Sequence, residues 1–545
     1  MSAPTAAQND PISRWDVALA AGLIGAGLAA DAWFAVYRPI HGLGNDDISG
    51  IAYEADVLRA GGLPYVDTLE LKSPVPFFLV AAAWSVFGRS PAVLHAACHA
   101  WVLLGAVGVA VGVWWAEIGV ARSTRLRLLG LAVGLYLAEA SAFDSNYTTW
   151  MLPPSVWAFA AAVVGLRTGD LRWHTVAGFA AGLAYLTKAN AVVLGVAIPL
   201  AWAWVWWRGP EGARLGAWAS WVVGAALAAL PFLGVYAVHG ETMALVRGVF
   251  PFGQAAAYSV RDVEVTAGTL VAGLAVHQWK VLRLSFLGAS TVTLGLTLAA
   301  VGRWRAPGDA RVRFELPLLA FWALSLVGGG LGGLRYYSGY APQYIPPLVW
   351  LAASSVPWRL AAGASTRLGR GLFRGLVGAA AIAGIAVATD RFALGSAGAR
   401  YRPNPGCEVA GAYIAAHSRP DDRVQVFGIR AWAVYFWSER RAPGRIYKSL
   451  GAVTEFNRNG LFQPPRARRK TTLDFLPGPL ADELYETFVD TPPAFVVRAK
   501  PFFGGYTNDP IRDFVKLQAL LDRDYVFVRD FGDLDVYERR GHAGP

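Results

Sequence analysis

Pro74-Val-Pro-Phe-Phe-Leu-Val-Ala-Ala-Ala-Trp-Ser-Val-Phe87 is an apolar run of 14 residues, and whether it crosses a bilayer decides the fold. A helix needs about 20 apolar residues to cross, so this run is short. Charge placement supplies a second criterion, because Lys and Arg gather in the cytoplasmic loops between spans. If the run crossed, the basic loop Ala121-Arg-Ser-Thr-Arg-Leu-Arg127 would fall outside. If it lies along the interface, that loop falls inside. The run therefore reads as an interfacial helix on the outer face.

Composition agrees with a membrane setting. Hydrophobic residues make up 55% of the 545, charged residues 16%, and mean hydropathy is +0.37. A soluble chain carries roughly 25% charged residues. The 22 tryptophans suit the two membrane interfaces. The net charge of +11 resides in arginines between apolar segments, which sets orientation and argues against a nucleic-acid partner. The two cysteines, Cys98 and Cys407, form no disulfide framework and read as inert.

With the interfacial reading, one topology accounts for the other charges. A polar cytoplasmic tail, 1–14, precedes a first span over 15–37, an anchor too long for a signal-peptide core. Further spans are expected near 91–118, 127–142, 151–166, 174–187, 189–207, 215–238, 282–301, 314–331, 342–357 and 373–390. That makes about eleven transmembrane helices. Arg122, Arg125, Arg127, Arg167, Arg172, Arg208, Arg303 and Arg367 occupy inner gaps, and Asp144, Glu241 and Asp262 outer ones. From 391 to 545 the apolar runs stop. Asp422–Gly428, Pro493–Arg498 and Tyr525–Arg529 read as strands, Cys407–His417 and Ile511–Leu521 as helices. The expectation is a small C-terminal α/β domain outside the cytoplasm. No tandem repeat is evident.

The first outer loop, 38–90, carries the chemistry. Its core runs Asn45-Asp-Asp-Ile-Ser-Gly-Ile-Ala-Tyr-Glu-Ala-Asp-Val-Leu-Arg59 and on to Pro74. Six acidic residues lie there: Asp46, Asp47, Glu54, Asp56, Asp67 and Glu70. Such residues can solvate a loop, bind a metal or act as a base. Here Asp46 and Asp47 follow a span directly, so the membrane fixes their depth. Ile51, Ala55 and Leu58 have helical spacing, and Lys72 stands before Pro74 and Pro76. A cation held at a membrane surface can pair with a lipid phosphate. A carboxylate, such a cation and an apolar groove suit transfer of a sugar from a polyprenyl phosphate: the carboxylate deprotonates an acceptor hydroxyl while the cation stabilises the leaving phosphate.

Asp47 with its following helix, Ala60-Gly-Gly-Leu-Pro-Tyr-Val-Asp67, Glu70, Lys72 and Ser73-Pro74 resemble the first outer loop of GT-C glycosyltransferases. The resemblance is to the aminoarabinose-transferase-like and protein O-mannosyltransferase-like (family 39-like) enzymes. Phe87-Gly-Arg-Ser90, Thr187-Lys188 and Arg335-Tyr-Tyr-Ser-Gly-Tyr-Ala-Pro-Gln-Tyr-Ile-Pro-Pro347 are similar to further signatures, so the likeness spans roughly 15–390. It implies a polytopic GT-C-like domain over 15–390 with interfacial helices in its outer loop, and an extracytoplasmic domain over 391–545. It implies Asp47 as the base with Asp46 in reserve, and Lys72 as donor-phosphate ligand. The chain departs from the pattern at Ile48, Ser73, His95 and Gly339.

The remaining candidates have alternative readings. Arg335, on the outer side, is assigned to the donor phosphate. Tyr53, Asp67, Glu70, Asp144, Lys188 and Gln343 are assigned to substrate binding. Asp144 and Asn146 serve equally well as a helix cap, and Lys188 at a tight turn can simply snorkel. His239 and His277 stand alone and are not read as metal ligands. No cofactor is required, although the paired acids leave room for Mg or Mn with waters. The expected partners are a polyprenyl-phosphate sugar donor, a glycan, lipid or protein acceptor, and the bilayer of the inner membrane. The alternative function is a transporter or flippase for lipid-linked sugars, which internal repeats and broken helices would mark.

Overall fold

The computed structural model describes residues 11–37, 42–43, 46–116, 121–140, 144–207, 214–250, 343, 349, 405–449, 472–500 and 508–544. The expected spans between 282 and 390 lie outside these residues, Gln343 and Val349 excepted, and so does Arg335. Contacts divide the chain into two units: 1–38, 98–231 and 270–400 form one, and 39–97, 232–269 and 401–545 the other.

The first unit is helical. Its described helices are α1 (Arg14–Tyr37), α4 (Pro91–Ala116, mostly here), α5 (Arg122–Ala140), α6 (Tyr147–Thr168), α7 (Leu171–Tyr185), α8 (Val192–Trp207) and most of α9 (Arg214–Val238). Pro91–Ala116, Tyr147–Thr168 and Leu215–Val238 are long and apolar enough to cross a membrane. Small residues let backbones approach where no water is present to drive helices together. A Cβ on Gly130 of α5 would fall 2.5 Å from the Ala20 Cα of α1, and one on Gly27 of α1 would fall 2.5 Å from the Gly134 carbonyl oxygen. Helix α6 is buried on nearly every side and forms the spine of the unit, with Ala158, Ala160, Ala161 and Val164 wholly covered. Pro153 and Pro154 lie within it.

Helix directions test the reading of Pro74–Phe87. Asp16 pairs with Arg127, and Ala20 lies against Gly130, so α1 and α5 run parallel. Tyr136 donates to the Val102 carbonyl and Arg125 to that of Trp114, so α4 and α5 run antiparallel. Helix α4 therefore runs opposite to α1, and His99 of α4, near its start, meets Asp31 near the end of α1 at 2.7 Å. A crossing between them would have made α1 and α4 parallel. The apolar run forms α3 (Val75–Phe87), 13 residues long, which adds no reversal. At 1.5 Å per residue it reaches about 20 Å, short of the roughly 30 Å hydrocarbon core.

The second unit joins the outer loop to the tail. It holds α2 (Asp46–Arg59), α3, the start of α4, the end of α9 and α10 (Thr242–Val249). From the tail come α11 (Pro405–His417), α12 (Ala433–Ser438), α13 (Pro479–Asp490) and α14 (Val515–Asp524). Strands β1 (Val424–Phe427), β2 (Phe495–Ala499), β3 (Tyr525–Asp530) and β4 (Leu534–Arg539) form one sheet in the order β1-β2-β4-β3. β1 and β2 are parallel, and the other pairs antiparallel. Phe427, Leu484, Phe488, Val496, Leu517 and Leu521 make its core with α13 and α14. The sequence reading omitted β4, α10, α12 and α13. β4 carries only Leu534 and Val536 as buried apolar residues, so its period is masked by Asp535, Glu538 and Arg539.

Candidate active site

Helix α2 begins at the two aspartates and buries Ile51, Ala52 and Ala55 completely. Asp47 is half-exposed at its first turn, and of Asp46 only the backbone is described. After α2 the chain turns through Gly61 and Tyr65, which both have positive φ, 81° and 67°. A tyrosine in the left-handed region costs about 1 kcal/mol or more, so neighbours must hold it there. Its ring lies against Gly248 of α10, where any Cβ would overlap it, and its hydroxyl donates to the Lys72 carbonyl at 2.5 Å. Tyr236 of α9 donates to the Pro64 carbonyl at 2.8 Å.

These turns bring Lys72 back to α2. Its Nζ stands 3.9 Å from Asp47 Oδ1, with the two side chains 42% and 41% exposed. At that distance and exposure the pair is a weak ion pair that solvent or a ligand can enter. An ammonium can donate to an incoming anion, and a carboxylate can accept from an incoming hydroxyl.

Glu70 lies under Lys72 and is buried. One of its oxygens accepts from the peptide N–H groups of Leu71 and Lys72, at 2.7 and 3.0 Å. The other accepts from the Tyr447 hydroxyl at 2.7 Å and from the Lys448 ammonium. Glu54 on α2 is fully buried beside it. Its Oε2 accepts from Thr68 at 2.8 Å, and its Oε1 has no hydrogen-bond partner among the described residues. Burial first, and the Glu70 charge second, push the Glu54 carboxyl up to about 8, against the pull of Lys448. The fold thus favours the protonated form of Glu54, while its neighbour Glu70 is paired with a cation. Among the described residues no group of three or more His, Cys, Asp or Glu side chains gathers as a metal site.

Other predicted site residues take these places. Tyr53 is buried between Tyr435 and Tyr447, with ring centroids 4.8 and 4.1 Å away, and its hydroxyl accepts from the Ala442 N–H at 3.0 Å. Asp67 is exposed and accepts from the Leu63 N–H at 2.6 Å, closing the turn. Asp144 and Lys188 belong to the first unit. Asn146 caps α6 by accepting from the Thr148 and Thr149 N–H groups, and it donates to Asp144 Oδ1. Lys188 Nζ donates to Thr148 Oγ1 at 2.5 Å, so α6's first turn joins Asp144 and Lys188 in one cluster. Gln343 is buried, and its Nε2 has no hydrogen-bond partner among the described residues.

The sequence alone gives no individual role to Glu54, Tyr65, Tyr447 or Lys448. Glu54 carried a signal: it falls on the apolar face of α2, three residues after Ile51 and four before Leu58. Lys448 carried none, since it follows α2 by almost four hundred residues.

The solved structures place this fold. The chain is similar to ArnT from Cupriavidus metallidurans bound to undecaprenyl phosphate, with a TM-score of 0.59, 16% identity, and coverage of 96% of this chain and 98% of that one. Against ArnT from the same organism in the apo state the TM-score is 0.54, identity 15%, and coverage 94% and 96%. No protein-family model matches the chain, and no curated protein matches it in sequence. The chain therefore shares the fold of this ArnT over almost its full length.

Proposed function

We propose that the protein transfers a sugar from a polyprenyl-phosphate donor to a hydroxyl of a glycan, lipid or protein acceptor. The reaction takes place at the outer face of the cytoplasmic membrane, with the C-terminal domain on the same side. The observation that carries this reading is the 3.9 Å approach of Lys72 to Asp47 across a tightly tied loop. The binding of undecaprenyl phosphate by the ArnT of similar fold supports a polyprenyl phosphate as the donor's lipid.

Asp47 takes the proton of the acceptor hydroxyl as its oxygen attacks the anomeric carbon. The bond from that carbon to the phosphate oxygen breaks, and its electron pair leaves on the lipid phosphate. Lys72 stabilises the charge that develops there. This is a single displacement and inverts the anomeric centre. The lysine supplies the positive charge that other phosphate sites draw from a metal.

The test is transfer of labelled sugar from total polyprenyl-phosphate donors in membranes at matched expression. Asp47→Asn is expected to lower the rate by about 100-fold or more, the contribution of a positioned base. Lys72→Ala is expected to lower it as well, with weaker donor binding. Normal transfer by both variants would remove the reading.

A further inference from the structure

We propose that Lys448, in the C-terminal tail, is a positioning residue for Lys72, so that the tail sets the geometry of the transfer site. The inference rests on the reading of Lys72 as the donor-phosphate ligand.

Glu70 has its two oxygens committed in two directions. One holds the peptide N–H groups of Leu71 and Lys72, and thus the backbone from which the Lys72 side chain extends. The other is held by Tyr447 and Lys448. The Lys448–Glu70 pair is well covered, its side chains 15% and 2% exposed. Pairs of this kind are strong and directional, and removing one partner strands the other charge in a dry environment.

The same ammonium also touches α2. A Cβ on Gly50 would lie 2.9 Å from Lys448 Nζ, so a glycine there leaves the room the ammonium occupies. Gly50 sits three residues after Asp47, on the adjacent turn of one helical face. Trp432 and Tyr447 of the tail confine the ammonium further, with ring centroids 5.2 and 5.0 Å away. Lys448 is therefore wedged between the helix that carries Asp47 and the strap that carries Lys72. A group packed against one arm and paired with the other limits how closely the two approach. Misplacing reacting groups by about 1 Å can cost on the order of 100-fold in rate.

The hydrogen bond from the Leu69 N–H to the Arg445 carbonyl, at 2.8 Å, and that from the Ala442 N–H to the Tyr53 hydroxyl anchor the segment 442–448 on the same loop. Lys448 thus approaches on a tethered strand of chain, and its loss leaves those tethers in place. That separates a positioning role from a role in holding the tail on.

The experiment measures binding of undecaprenyl phosphate to the full-length protein in detergent micelles. Four forms are compared: wild type, Lys448→Met, Lys72→Ala and the double variant, each with its thermal unfolding recorded. Lys448→Met is expected to weaken binding roughly tenfold in the wild-type background and to change nothing once Lys72→Ala is present. Lys448→Arg, which keeps the charge, is expected to recover part of the loss. Gly50→Ala, whose methyl group displaces the ammonium, is expected to weaken binding in the same direction and serves if Lys448→Met does not fold.

Binding by Lys448→Met equal to wild type, or an equal penalty in both backgrounds, overturns the positioning role and leaves the phosphate reading standing. Equal binding by wild type and Lys72→Ala overturns the phosphate reading itself, and the inference falls with it.

Discussion

Glu54 is a buried carboxyl beside the transfer pair whose titration the fold displaces. Burial and the neighbouring Glu70 charge raise its carboxyl from an ordinary 4.5 to about 8. In the unfolded chain it ionises near pH 4.5, while in the folded protein it stays protonated until about pH 8. The native state is thus progressively disfavoured as pH rises from 4.5 to 8, and the penalty is complete above that. Glu54→Gln keeps the shape and removes the titration. It is expected to raise the unfolding temperature at pH 8.5 and to change it little at pH 4.5, measured by tryptophan fluorescence in detergent. A variant that melts at the wild-type temperature at both pH values would show that Glu54 does not carry this shift.

At the scale of elements, close helix contact in the first unit depends on side chains that are missing. Gly130 and Gly134 sit four residues apart on α5, and both face α1. A leucine at Gly134 would drive its Cβ into the Leu23 carbonyl, and the helices would have to part. Gly134→Leu is expected to cost about 2 kcal/mol or more, an overpacking penalty. Thermal unfolding of the purified variant reads this directly, and an unchanged melting temperature would mean that α1 moves freely against α5. Helix α3 offers a contrast. It ends at Gly88 with φ 87°, and the next residue, Arg89, leaves the helix to grip its neighbours.

At the scale of the molecule, Arg89 is where α2, α3 and the tail meet within the second unit. It makes a two-pronged contact with Asp56, donates to the Phe436 carbonyl at 2.8 Å, and lies 3.8 Å over the Phe436 ring. The further contact to Glu439 is solvent-exposed and contributes little. Arg89→Met retains the stem and loses the fork, which is expected to cost about 2 kcal/mol. Limited proteolysis would then cut the tail faster than in wild type. Equal cleavage rates would indicate that Tyr53, Leu69 and Glu70 hold the tail without it.

Several features were legible in the sequence because they rest on local quantities. The shortness of Pro74–Phe87, the arginine pattern of the gaps and the helical spacing after Asp47 are properties of contiguous residues, governed by helix rise and membrane thickness. The helical positions of α2, α3, α4 and α6 are readable from such runs, and three of the four described strands from short β-branched and aromatic runs. The nomination of Asp47 and Lys72 came from their place at the exit of a span and from the resemblance of the loop. What the sequence could not show was which residues stand opposite each other across long intervals of chain. Glu70, expected at the substrate, has both of its oxygens engaged by Leu71, Lys72, Tyr447 and Lys448. Tyr53, expected there too, is packed between two tyrosines of the tail. Burial and pairing are decided by how distant segments close over one another, because a charge that is cheap in water becomes costly, and so directional, only once the fold removes the water.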